Sequence, residues 1–240
     1  MVKRSASSNP LAKEVTVIAI DGPAGAGKST VAQRLAESLG LDYLDTGAMY
    51  RAVTFGVLER HIPTDASEEV AAVAREAVLE FDGRRVLVDG QDATQAIRGT
   101  EVTQAVSAVA ANPGVRAELV KRQRLWIEHH GGGVLEGRDI GTVVAPDADL
   151  KLFITASPRV RAERRVAQTG GDVDLVEASI IERDRRDSTR DASPLLIADD
   201  AVTIDTSEMD VTEVLELVHA HLSQRLATPP RSGESLGQES

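Results

Sequence analysis

The chain has 240 residues, 42% apolar and 27% charged, enough for one good-sized domain with an insertion and incompatible with wholesale disorder. It has no cysteine and five scattered histidines, which excludes disulfides, thiolate metal centres and a thiol nucleophile, so any metal should be hard and oxygen-bound. A net charge of −11 argues against coating nucleic acid, and the lack of a long apolar run or a signal peptide predicts a soluble, cytoplasmic protein that binds no membrane.

Residues 1–13 are polar and non-periodic, and the spacing predicts disorder there. A β-branched apolar run over 15–20 predicts a buried strand that ends in Asp21-Gly22-Pro23. Val31, Leu35, Ala36 and Leu39 then recur at helical spacing, with Gly40 placed to cap that helix. Further buried strands are expected at 42–44, 133–135, 150–155 and 201–204. Helices are expected near 47–60, 67–79, 101–110, 114–129, 158–168, 174–189 and 210–225. Such alternation predicts an α/β fold, a parallel five-stranded sheet with helices on both faces. Residues 80–93 break it: two Asp-Gly turn signals around a β-branched run mark a small antiparallel meander. The stretch 64–106 therefore reads as an inserted α+β substrate-binding subdomain. Trp126 lies in a helical pattern without aromatic neighbours, which fits core packing better than a stacking platform for nucleic acid. The Pro/Gly/Ser-rich tail 227–240 is expected to be disordered, leaving 14–226 as the folded domain.

Gly22-Pro23-Ala24-Gly25-Ala26-Gly27-Lys28-Ser29 matches G-x-x-x-x-G-K-[ST] in full, between a predicted strand and a predicted helix, and Thr30 continues it. This is the phosphate loop of P-loop NTPase-type folds. Its glycines let backbone N–H groups turn inward around phosphates, and the helix N-terminus adds partial positive charge. Lys28 can reach the β- and γ-phosphates, and the Ser29 hydroxyl can ligate Mg²⁺. The loop implies a nucleoside triphosphate but leaves the reaction open, since switches and motors share it.

Three more segments concentrate groups suited to a nucleoside monophosphate. The stretch 44–51, LDTGAMYR, supplies a hydroxyl and an arginine where a strand opens into a helix. The stretch 136–144, EGRDIGTVV, sets a cation beside an anion after another strand. In 182–190, Arg183, Asp187 and Arg190 fall at i, i+4 and i+7 on one expected helical face. Nearby, Arg159, Arg161, Arg164 and Arg165 come almost in succession; alone, such a run is more often a solvated helix face.

With the phosphate loop, these segments closely resemble bacterial cytidylate kinases, a family of nucleoside monophosphate kinases. The most specific parts are IDGPAGAGKST, LDTGAMYR and GRDIGTVV, and the likeness runs from about residue 15 to 226. The resemblance implies transfer of the γ-phosphoryl of ATP to CMP or dCMP, with Mg²⁺, by a chain expected to be monomeric. It implies that Ser107, Arg116 and Asp139 meet the cytosine edge and that Arg183 and Asp187 meet the sugar. Thr46, Arg51, Arg138 and Arg190 would surround the acceptor phosphate. Lys28 and Arg138, with Arg161, Arg164 and Arg165 from an Arg-rich lid over 158–190, would screen the migrating phosphoryl while the lid excludes water. A guanine-reading N-K-x-D motif, the mark of a GTPase switch, is missing from the sequence.

Overall fold

The computed structural model describes residues 17–83, 85–190 and 193–227. The chain opens with β1 (Val17–Asp21), α1 (Lys28–Leu39), β2 (Tyr43–Asp45) and α2 (Thr46–Glu59). Next come α3 (Ser67–Glu76), the short strands β3 (Leu79–Asp82), β4 (Arg85–Val88) and β5 (Gln91–Asp92), a 3₁₀ turn at Ala96–Arg98, and α4 (Thr100–Ala111). The chain continues through α5 (Pro113–His130), β6 (Gly133–Glu136), a π turn at Ile140–Val144 and β7 (Leu150–Thr155). It finishes with α6 (Pro158–Thr169), α7 (Val173–Thr189), β8 (Val202–Asp205) and α8 (Val211–Ala227).

The main sheet has five parallel strands in the order β2-β6-β1-β7-β8. The central β1 is apolar because both its faces are covered: Ile18 pairs with Val134 on one side and Leu150 on the other. Strand alternation sends Ile18 and Ile20 into one core with Val31, Leu35, Val218 and Leu222 of α1 and α8. Ala19 faces a second core with Val53, Val73, Val115 and Leu119 of α2, α3 and α5. Each fully buried aliphatic side chain here contributes about 1.5–3 kcal/mol. Gly40 closes α1 in the left-handed region (φ 67°) and donates its N–H to the Ala36 and Glu37 carbonyls, as expected.

The β3–β5 strands form the antiparallel meander expected at 80–93. Asp89 (φ 52°) and Gly90 (φ 81°) take the paired positive φ values of a tight hairpin turn. This unit has its own small core, in which Val86, Val88, Ala93, Ile97 and Val102 pack on Ala48, Ala52 and Phe55 of α2. Helix α3 instead joins the main core through Val70, Val73 and Ala74.

Several boundaries differ from the expectation. Strands β1, β2, β6 and β8 each end one residue later, at Asp21, Asp45, Glu136 and Asp205, because sheet pairing carries the strand past its apolar run. Helix α3 stops at Glu76 rather than 79, since Ala77 turns extended (ψ 130°) to feed β3. Arg190 is extended at the end of α7 (ψ 142°), so it does not continue the helical face of Arg183 and Asp187. The 3₁₀ and π turns were not anticipated. The stretches 1–13 and 228–240 lie outside the described residues, whereas Ala227 is the last residue of α8. Among the described residues no helix is long and apolar enough to cross a membrane.

Candidate functional site

The phosphate loop leaves β1 at the carboxyl edge of the sheet. Gly22 has φ 141° and sits so close to β7 that a Cβ would lie 1.9 Å from the Ile154 carbonyl oxygen, so glycine is required. Gly27 is left-handed (φ 91°) and opens α1, turning the first free N–H groups of that helix toward the loop. Lys28 is buried, and its Nζ donates to the Pro23 carbonyl at 2.8 Å. Burial, with help from the Arg138 guanidinium, pushes the Lys28 ammonium well below its ordinary range, while Glu136, Asp21 and Asp45 oppose the shift. Ser29 Oγ donates to Glu136 Oε2 at 2.9 Å, and Tyr43 donates to the other Glu136 oxygen. The Glu136 carboxyl is raised, first by burial and then by Asp45.

Two clefts meet at this loop. One, of about 540 Å³, is lined by Gly25 through Val31 together with Arg161, Arg164, Arg165, Thr206 and Asp210. The other, of about 260 Å³, collects Thr46, Arg51, Ser107, Arg116, Arg138, Asp139, Arg183, Asp187 and Arg190, all the residues assigned to a monophosphate by resemblance. Gly25, Lys28, Ser29, Arg98 and Arg165 line both clefts. Thus α2, α4, α5, α7 and the turn after β6 deliver side chains to one place from positions up to 144 residues apart.

In the second cleft Thr46 Oγ1 donates to the Glu136 carbonyl at 2.6 Å, which stitches α2 to the end of β6. A Cβ at Gly137 would lie 2.7 Å from that same hydroxyl, so this close approach also needs glycine. Asp139 and Arg116 form a buried ion pair, and the Arg116 guanidinium stands 5.6 Å from the centre of the Tyr50 ring. Arg138 Nε donates to Asp187 Oδ2 at 3.0 Å. Eight cationic and four acidic side chains line this cleft, so it is strongly positive within an acidic molecule. Of the arginine nitrogens lining this cleft, Arg183 Nε and Arg190 Nη2 are buried without a hydrogen-bond partner among the described residues. Burial lowers Arg183 to about 10, with Arg138 next in effect, and burial likewise lowers Arg190 and Arg51. Buried cations that are only partly compensated suit an anionic ligand.

The three α6 arginines expected in a lid separate. Arg161 is buried and fixed, donating to the Ala156 carbonyl at 2.9 Å and the Ala24 carbonyl at 3.1 Å and forking onto Asp184 at 3.1 and 2.5 Å. Arg164 is held by the Thr206 carbonyl at 2.6 Å and hydroxyl at 3.1 Å. Both line the first cleft but not the second, whereas the exposed Arg165 lines both. Ser29 and Thr30 are exposed at the mouth of the first cleft. Trp126 packs at the edge of the main core and stacks on His130, with ring centres 4.2 Å apart.

Sequence reasoning assigned no role to several residues of the site, among them Asp21, Asp45, Tyr50, Arg98, Glu136, Thr206 and Asp210. Asp21 lies inside the quoted segment IDGPAGAGKST, and Asp45 and Tyr50 inside LDTGAMYR, which was their one available signal. Asp21 accepts from the Ile140 and Gly141 N–H groups at 2.8 and 2.7 Å and so ties the phosphate loop to the π turn. Arg98 is carried by the unanticipated 3₁₀ turn and had no signal beyond its place in the expected insert over 64–106.

Residues 18–224 match the family described as cytidylate kinase. A Mycobacterium leprae cytidylate kinase is 51% identical over 212 residues, covering 86% of this chain and 93% of that protein. A Streptomyces griseus cytidylate kinase is 46% identical over 213 residues, with 86% and 92% covered. A Synechococcus bifunctional pantoate ligase/cytidylate kinase is 55% identical over 210 residues; these cover 82% of this chain but only 39% of that longer protein.

Proposed function

The chain belongs to the cytidylate kinase family, and from that premise we propose that it moves the γ-phosphoryl of ATP to CMP or dCMP, giving ADP and CDP or dCDP. The observation that carries this reading is the meeting of the two clefts at Gly25, Lys28 and Ser29. The first cleft takes the triphosphate on the loop N–H groups, and the second takes the monophosphate among Thr46, Arg51, Arg138 and Arg190. The buried Arg116–Asp139 pair supports reading of a cytosine edge. Its carboxylate accepts from the exocyclic amine, and Arg116 and Ser107 donate to the ring acceptors. Uracil offers a carbonyl where cytosine has the amine, so Asp139 would face an acceptor. Arg183 and Asp187 flank the sugar.

Phosphoryl transfer through a loose transition state needs alignment and charge neutralisation more than a base. Lys28, Arg138 and Arg165 supply that charge, while Arg161 and Arg164 hold the lid on the loop and on the end of β8. The lid over 158–190 and the insert over 64–106 close the clefts and keep water from accepting the phosphoryl.

The residues beside the loop fit a magnesium ion carried in with the nucleotide. Ser29 and Glu136 offer hard oxygens in contact with each other. Among the described residues no group of three or more acidic or histidine side chains could hold a metal unaided, so a bound ion would take most of its oxygens from phosphate and water. Ser29 would hold the ion, which when bound would polarise the phosphoryl oxygens.

An assay of ADP release with ATP and Mg²⁺ against CMP, dCMP, UMP and AMP tests this function. CMP should be turned over at least about tenfold more efficiently than UMP and AMP, in line with about 1.4 kcal/mol or more of base discrimination. Equal use of all four, or none of CMP, overturns the reading.

A further inference from the structure

Most arginines of the two clefts are already committed. Arg116 is paired with Asp139, Arg138 with Asp187, Arg161 with Asp184 and the loop, and Arg164 with Thr206. Arg98 is held differently. Its Nη2 stands 3.9 Å from Asp45 Oδ2, beyond hydrogen-bond reach, and its side chain is 66% exposed. Asp45 spends its other oxygen capping α2, accepting from the Ala48 N–H at 2.9 Å. Yet Arg98 lines both clefts alongside Lys28, and it reaches that junction from the insert rather than from the loop or the lid.

The turn beneath Arg98 is well anchored. Ile97 is fully buried in the insert core, and the Ile97 carbonyl accepts from Arg51 Nη1 at 3.0 Å. The same Arg51 nitrogen also donates to Thr103 Oγ1 at 3.0 Å. One short turn therefore fixes an arginine of the acceptor-phosphate site and carries a loosely held cation beside it.

Resting on the cytidylate kinase reading, we propose that Arg98 is a catalytic residue, which leaves Asp45 and lies on the migrating phosphoryl group where the clefts meet. In that step an acceptor phosphate oxygen forms a bond to the γ-phosphorus while the bond from that phosphorus to the β,γ-bridging oxygen breaks. The electron pair departs with ADP, and no proton has to move. Charge spreads over the three equatorial oxygens, and a planar guanidinium that arrives as they open matches them better than a fixed ammonium. Because Arg98 rides on the turn that holds Arg51, acceptor binding and placement of this cation are one event.

The test is steady-state kinetics of Arg98→Ala and Arg98→Lys with ATP and CMP, paired with affinities for ADP plus CMP with and without aluminium fluoride. Arg98→Ala should lower kcat about 100-fold or more with KM values within about threefold. It should weaken the aluminium fluoride complex by a similar factor but leave ADP plus CMP binding unchanged, and Arg98→Lys should recover only part of the rate. The side chain is exposed, so both variants should melt with the parent. A kcat within about threefold of the parent, or a loss confined to KM, overturns the role of Arg98. A parent that does not phosphorylate CMP overturns the functional reading itself.

Discussion

Asp21 shows how one side chain couples site architecture to pH. Burial pushes its carboxyl up to about 6 from 3.8, against the lowering effect of the Gly141 and Ile140 N–H groups. Below about pH 4 the group is protonated in folded and unfolded chains alike and contributes nothing. Between pH 4 and 6 the folded chain keeps a proton that the unfolded chain releases, so stability falls as pH rises. Above pH 6 the penalty is complete, about 3 kcal/mol. Asp21→Asn should therefore flatten the decline in stability from pH 4.5 to 7, with a constant loss from its second amide contact. Urea unfolding across that range would check it, and a slope equal to the parent's would refute it. Asp21 sits inside a quoted motif, yet its task was invisible there because its partners lie 119 and 120 residues away.

At the scale of elements, Asn112 joins two helices. It caps α5, accepting from the Gly114 and Val115 N–H groups at 2.9 and 3.2 Å, and donates to the Ser67 carbonyl of α3 at 2.8 Å. Asn112→Ala should lower stability by about 2 kcal/mol through loss of cap and tie. Calorimetry should show this as a fall in Tm of about 4–8 °C, and an unchanged Tm would rule the linkage out. The expected helix near 114–129 is α5, but its tie to α3 was not readable. Helices α6 and α7 were readable too, and the structure shows them capped by Ser157 and Asp172. What the pattern hid is how little they bury: Arg161 and Ala162 in α6 and Asp187 in α7 are their buried residues. A hairpin with so little apolar anchorage should open at low free energy, which suits the lid proposed for it. Strand ends misled the reading for one reason: an acidic residue looks like a loop residue until a neighbouring strand pairs with it.

Across the whole molecule, an acidic chain gathers eight of its cationic side chains around one cleft. Burial lowers Arg51, Arg183 and Arg190, and neighbouring arginines add to the shift, so an anion bound among them should stabilise the fold. CMP at about 100 times its Kd should stabilise the protein by about 2.7 kcal/mol. That corresponds to a rise in Tm of about 5–10 °C. Scanning fluorimetry with CMP, against cytidine at matched ionic strength, would test it; an equal rise with cytidine would deny the phosphate its part. The amino-acid order by itself determined the strand, glycine loop and helix that bind phosphate, the α/β alternation and the meander, because each is written in spacing along a few residues. Most of the second cleft was reachable only through the resemblance of its segments to a known family. The tertiary structure alone decided the strand order, the meeting of the clefts at Lys28, the fixed state of Arg161 and Arg164, and the place of Arg98. Those depend on contacts between residues tens to more than a hundred positions apart, whose free energies no local window contains.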